Sequence, residues 1–202
     1  MREETIRVYG FAELSEQAQA RAIEVLCARL AGSWWDSGDN EDVRNAMVYE
    51  LATKLGTPGH DQYGEGDYPG VPGVTVAGWD MDRHQALALD GRLDRDNAPA
   101  LPWTTGLDHV ELSGYRSETT RVEVITGNTE CTCGGEPHDD GCPGLLVRVD
   151  LAGIGTLEQA VRDVLHETWA CGERTVDYKT GAAYAREISD NYAFTEDGEL
   201  YA

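Results

Sequence analysis

Lysine is almost missing from this sequence: Lys54 and Lys179 are the only two in 202 residues, and lysine plus arginine total 16 against 37 aspartates and glutamates. The formal charge of -21 repels phosphate backbones, so direct binding to nucleic acid is not expected. Long apolar runs are missing as well. Stretches such as Gly144-Leu145-Leu146-Val147 fall far short of a membrane span. The opening Met1-Arg2-Glu3-Glu4 leads into no apolar signal segment, and a protein kept in the cytoplasm and off membranes is the expectation. Phenylalanine is represented by Phe11 and Phe194 alone. Familiar catalytic signatures are absent too, with no H-E-x-x-H, G-x-S-x-G, Walker, dinucleotide or calcium-loop pattern, so no enzyme activity is expected.

What remains is ordinary globular material. Hydrophobic residues are 41% and charged residues 26%, enough apolar content to build a core and too much for wholesale disorder. The length fits a single domain over 1–202. Alanine, glycine, valine, aspartate and arginine are favoured over lysine and phenylalanine, a bias that suggests a GC-rich genome. A halophilic proteome would give a similar acidic, lysine-poor surface.

Thr5 to Tyr9 alternates and reads as a strand ending at Gly10. Ser15 is a good N-cap for a helix whose stripe is Ala22, Leu26 and Leu30, with Ile23 and Cys27 beside it. The acidic break from Asp36 to Asn40 precedes a second helix, with Val43, Met47, Leu51 and Leu55 at helical spacing and Gly56 as its stop. Residues 57–73, rich in Gly, Pro, Tyr and acid, read as a long surface loop. Val74 to Met81 and Gln85 to Leu93 predict a hairpin around Asp82-Arg83-His84, and 97–105 is a connector. Further strands are expected at Asp108 to Gly114, Thr120 to Thr126 and Leu145 to Leu151. Thr156 and Gln159 form a capping box that opens a helix running to Gly172, and a last helix covers Gly181 to Ser189. The fold expected is α+β, an antiparallel sheet of five or six strands with the N- and C-terminal helices packed on one face.

One segment carries metal chemistry. Cys131, Cys133, His138 and Cys142 offer four ligands of the kind zinc prefers in a Gly-rich loop, and 128–144 reads as an insertion that one structural zinc ion could staple. The spacing C-x-C-x4-H-x3-C resembles a zinc knuckle whose two outer gaps are each one residue short. Free thiols and a disulfide are the competing readings of the same residues, and metal analysis of the purified chain separates them. A closed site of four protein ligands points to a structural or regulatory module rather than to hydrolysis. A metal-dependent hydrolase using the carboxylates from Asp80 to Asp96 is a further alternative.

The opening Ile6-Arg7-Val8-Tyr9-Gly10-Phe11-Ala12-Glu13-Leu14-Ser15-Glu16-Gln17-Ala18, continuing through Ala22, resembles the start of a family of small phage and prophage proteins, a strand followed by E-L-S-E-x-A and a helix. The segment Ile188 to Gly198, with its Y-x-F-T-E-D-G ending, is similar to that family's closing segment, and Gly78-Trp79 to its central hairpin. The middle of the chain, including the cysteine loop, departs from the pattern. The family is largely uncharacterised, is sometimes labelled antitoxin-like, and supplies no catalytic residues to carry over. The resemblance implies a phage gene expressed in a bacterial host, an actinobacterial one on the GC bias, and a small accessory protein that binds host machinery.

Charge and resemblance together give the functional expectation: a protein that meets a basic surface of a host factor, with counter-defence or mimicry of DNA phosphates as possible outcomes. The carboxylates expected to form that surface are Asp36, Asp39, Glu41 and Asp42 before and within the second helix, and Asp61, Glu65 and Asp67 in the Gly-rich loop.

Overall fold

The apolar spacing in the sequence becomes four helices and four strands in a computed structural model, which describes residues 7–36, 41–64, 66–80, 86–115, 118–126 and 151–201. The helices are α1 (Glu16–Asp36), α2 (Glu41–Leu55), α3 (Leu151–Thr180) and α4 (Ala182–Ile188). The strands are β1 (Val74–Asp80), β2 (Ala86–Leu93), β3 (Leu107–Tyr115) and β4 (Glu118–Thr126). The chain divides into two compact units, Met1–Val43 with Glu173–Ala202, and Arg44–Gly172.

In the discontinuous unit, α1 starts where Ser15 accepts from the Ala18 N–H through its hydroxyl and from the Gln19 N–H through its carbonyl. Its stripe, Ala18, Ala22, Ile23 and Leu26, is buried together with Leu14, Ala185 and Phe194, and Cys27 and Leu30 pack at the edge. The backbones of Tyr9 and Phe194 exchange two hydrogen bonds of 2.9 Å, so the residue expected to end a strand instead makes one isolated bridge to the far end of the chain. The two phenylalanines meet here, Phe11 edge-on to Phe194 with ring centres 6.1 Å apart. Next to them Gly198, at φ 88°, lies against the α1 backbone: a Cβ there would sit 2.2 Å from the Ala18 carbonyl oxygen. Only glycine meets both conditions.

The contiguous unit holds the sheet, a meander in the order β1-β2-β3-β4 with every neighbour antiparallel. The α+β class and the antiparallel sheet match the sequence-based expectation, but the described residues contain four strands rather than five or six. Of the other two, the N-terminal candidate contributes the Tyr9 bridge from its described residues, Thr5 and Ile6 lying outside them. The Leu145 to Leu151 candidate lies outside the described residues except for Leu151, which opens α3 instead.

In the sheet, Leu89, Leu93, Val110, Leu112 and Val122 are buried while Asp90, Arg92, Glu111, Arg121 and Glu123 are exposed, the alternation that the strand period demands. The Thr120 hydroxyl is buried and bridges two β2 groups, accepting from the Leu89 N–H and donating to the Leu87 carbonyl. On α2 the predicted stripe is buried throughout: Val43, Met47, Leu51 and Leu55 are each no more than 2% exposed. Lys54 ties α2 to α3 through Glu167, and the Cys171 thiol lies 3.8 Å from the Ala46 carbonyl.

The long helix corrects two sequence signals. Thr156 caps nothing; it sits inside α3 and its hydroxyl donates to the Ala152 carbonyl one turn back. Gly172 is buried within the helix and does not stop it, because α3 runs on to Thr180. The stripe of Leu157, Val161 and Thr168 outweighs a local glycine penalty of about 1 kcal/mol.

Candidate functional site

The loop 57–73 is held at both ends by one residue. At its start the Thr57 hydroxyl, itself buried, donates 2.7 Å to the Asn97 carbonyl, while the Thr57 N–H continues the last turn of α2 to Ala52. At its end the Asn97 side-chain amide donates to the carbonyls of Pro72 (2.9 Å) and Arg92 (2.8 Å). The amide oxygen accepts from the Asp94 N–H at 2.8 Å, so the buried Asn97 amide has every polar atom engaged. Fastening both loop ends to one strand-end turn removes the freedom that a Gly-rich segment would otherwise keep. Replacing Asn97 with Ala keeps the carbonyl that holds Thr57 but strands the Pro72 and Arg92 carbonyls and the Asp94 N–H, at an expected cost of about 2–3 kcal/mol. Limited proteolysis of that variant should cut first within 57–73, and a cut elsewhere would contradict the clasp.

On this fixed loop four aromatic rings gather. Tyr49 of α2 meets His60 at 5.9 Å and Tyr68 at 6.1 Å, and Tyr63 meets Tyr68 at 5.7 Å, all with edge-to-face tilts. His60 is set by its Nδ1–H, which donates 2.7 Å to the Thr57 carbonyl; a carbonyl can only accept, so the tautomer follows. Partial burial, and then the neighbouring Tyr63, hold the Tyr68 hydroxyl above the usual tyrosine range. Tyr63 stays 45% exposed at the outer end of the chain of rings. Beside Tyr68 a cavity of about 230 Å³ opens, lined by Arg44, Asn45 and Val48 of α2 and by Val74, Thr75 and Val76 of β1.

Asp61 and Asp67 belong to the same loop, both exposed and neither in an ion pair among the described residues. Several carboxylates elsewhere are ion-paired, while Glu16, Glu41, Asp96, Glu173, Asp177, Asp190 and Glu196 are, like these two, exposed and outside any ion pair among the described residues. Asp94 and Asp108 approach Arg92 at 3.8 and 3.9 Å, Asp108 and Glu111 each lie 3.0 Å from His109, and Glu123 faces Arg121 at 3.8 Å. Both lysines are consumed as well. Hydrogen bonding to Glu167 raises the Lys54 ammonium above its ordinary value, and hydrogen bonding to Asp42 does the same for Lys179, at 2.9 Å.

The residues singled out from sequence fall in both compact units. Asp61 and Asp67 share the clasped loop, and Glu41 is exposed at the start of α2 beside Asp42, whose charge is already met by Lys179. Asp36 closes α1, while Asp39 and Glu65 lie outside the described residues. So do all four candidate zinc ligands, Cys131, Cys133, His138 and Cys142. Among the described residues no group of three or more His, Cys, Asp or Glu is placed to hold a metal ion. From the carboxylate cluster around the first hairpin, Asp82 and His84 lie outside the described residues. Asp90 accepts from the Gly114 N–H, and Asp94 from the Asp96 and Asn97 N–H groups. No helix among the described residues is long and apolar enough to cross a membrane. Two features escaped sequence reading: the Asn97 clasp, and the aromatic group, whose signal was four ring residues within twenty positions.

Compared with models of known families, with curated proteins and with solved structures, the chain matches none.

Proposed function

We propose that the chain is a phage-encoded accessory protein that works without catalysis, by offering carboxylates to a basic surface on a host protein, a surface that otherwise meets nucleic-acid phosphates. The observation that carries this reading is the clasped loop, where Asp61 and Asp67 stand exposed and outside any ion pair among the described residues, in a segment, 57–73, that contains no lysine or arginine. A fixed loop loses little entropy on binding, and unpaired carboxylates steer a cationic partner from a distance. The phage context rests on the resemblance of the two chain ends to the prophage family.

Affinity capture from a bacterial host lysate tests the proposal. A basic protein should be retained at about 0.05 M salt and released as the ionic strength rises toward about 0.5 M, where exposed charges are screened within a few ångströms. Recovery of no basic partner at either salt would sink it.

A further inference from the structure

We infer that the aromatic group on the loop, Tyr49, His60, Tyr63 and Tyr68, is the seat for an arginine side chain on a basic segment of a protein partner, with Asp61 and Asp67 as its counter-charges. This rests on the reading above and goes further by naming the contact and the residue type it takes.

The first support is a comparison within the molecule. Cations that lie over rings elsewhere are the protein's own: the Lys179 ammonium over Tyr184 at 4.4 Å, the Arg29 guanidinium over Tyr192 at 5.9 Å and that of Arg95 over Trp103 at 5.9 Å. Among the described residues no cation lies over any ring of the loop group, although this is the largest set of touching rings in the contiguous unit. Arg44 lines the cavity next to Tyr68 and makes no ring contact. Each edge-to-face contact occupies one face of a ring pair, and Tyr63, 45% exposed, is the ring open to a cation from outside.

The second support is rigidity. Tyr63 is nearly half exposed yet buttressed edge-to-face by Tyr68, which is buttressed in turn by Tyr49 on α2, and both ends of the loop are tied to Asn97. An exposed tyrosine alone is ordinary surface. A buttressed one, in a loop that also carries Asp61 and Asp67, neither ion-paired among the described residues, is preorganised for a flat cation. Guanidinium fits better than ammonium, because it is planar, weakly hydrated, stacks on rings and can meet carboxylates through several N–H donors at once. A nucleic-acid base would also stack on the rings, but its phosphates would meet Asp61 and Asp67 with no cation in the loop to receive them.

The test titrates the full-length chain with hexa-arginine, hexa-lysine and hexa-glutamate peptides by calorimetry at low salt. Hexa-arginine should bind about tenfold tighter than hexa-lysine, and hexa-glutamate should not bind. Tyr63→Ala should abolish the preference for arginine while Tyr63→Phe retains it, and the double substitution Asp61→Asn with Asp67→Asn should weaken both basic peptides. Unchanged circular dichroism in each variant shows that folding is not the cause. Equal affinity for the two basic peptides, or a Tyr63→Ala variant that keeps the preference, would overturn the assignment. Either result leaves the broader reading standing if a basic host protein is still captured; failure of that capture is the separate result that removes it.

Discussion

Alanine at Gly91 should unfold the β1–β2 pairing and lower stability by on the order of 4 kcal/mol, one of the two largest single effects expected in this chain. Gly91 sits at φ 136°, a conformation that L side chains rarely adopt, and it pairs with Val74 across the hairpin. The added Cβ would lie 2.0 Å from the Gly73 carbonyl oxygen and 2.8 Å from the Val74 Cα, all backbone, so no side chain can turn aside to make room. That same Gly73 oxygen accepts the Arg92 N–H at 3.0 Å, and relieving the clash means giving up this bond. Conformational strain of about 1–3 kcal/mol and overpacking of a similar size add up to the figure given. In a domain with stability on the order of 5–15 kcal/mol the variant is left marginal. Thermal unfolding should show a midpoint lowered by roughly 10 °C, with amide protection lost first in β1 and β2. A variant with wild-type protection in those strands would show that the hairpin does not need the glycine.

Truncating Phe194 to alanine is expected to cost about 3–5 kcal/mol, with the loss confined at first to α1 and α4. The side chain is fully buried, among Leu14, Ala18, Ala22, Leu26 and Ala185, and it receives the edge of the molecule's one other phenylalanine. Small residues dominate that set, so the hole cannot be filled by neighbours that have no length to extend. The two backbone bonds to Tyr9 survive the substitution on paper but lose the packing that fixes their register. Phe194→Leu keeps most of the volume and should cost less than about 1.5 kcal/mol. Denaturant midpoints for the two variants should therefore differ widely; equal midpoints would mean that the ring is not what holds the chain ends together.

How far the sequence announced this structure depends on how local each signal is. The stripe of α2 was readable because four apolar residues at helical spacing are all buried, and the hairpin strands because alternation along them matches the sheet faces. Thr156 and Gly172 misled for the same reason: a cap and a stop are short-range signals, and over thirty residues of α3 the buried stripe overrides them. The clasp could not be read at all. Asn97 looks like any turn residue until the fold brings Thr57, Pro72 and Arg92 around it from distances of 40, 25 and 5 positions along the chain. The candidate surface was half visible, since Asp61 and Asp67 stood out as charge in a loop, whereas the pairing of Asp42 with Lys179 appears only in the structure. Edge-to-face contact among Tyr49, His60, Tyr63 and Tyr68 is a tertiary fact that no spacing rule encodes.

The bridge between Tyr9 and Phe194 also dictates an order of events during synthesis. A ribosome delivers α1 early, but the residues that cover its apolar stripe, Ala185 and Phe194, come after the whole of Arg44–Gly172 has been made. The sheet-bearing unit, contiguous in the chain, can pack while translation continues, at about 5–20 residues per second. The unit that is started first is therefore finished last, and for roughly ten to thirty seconds Leu14, Ala18, Ala22 and Leu26 are a greasy ledge offered to chaperones in the nascent chain.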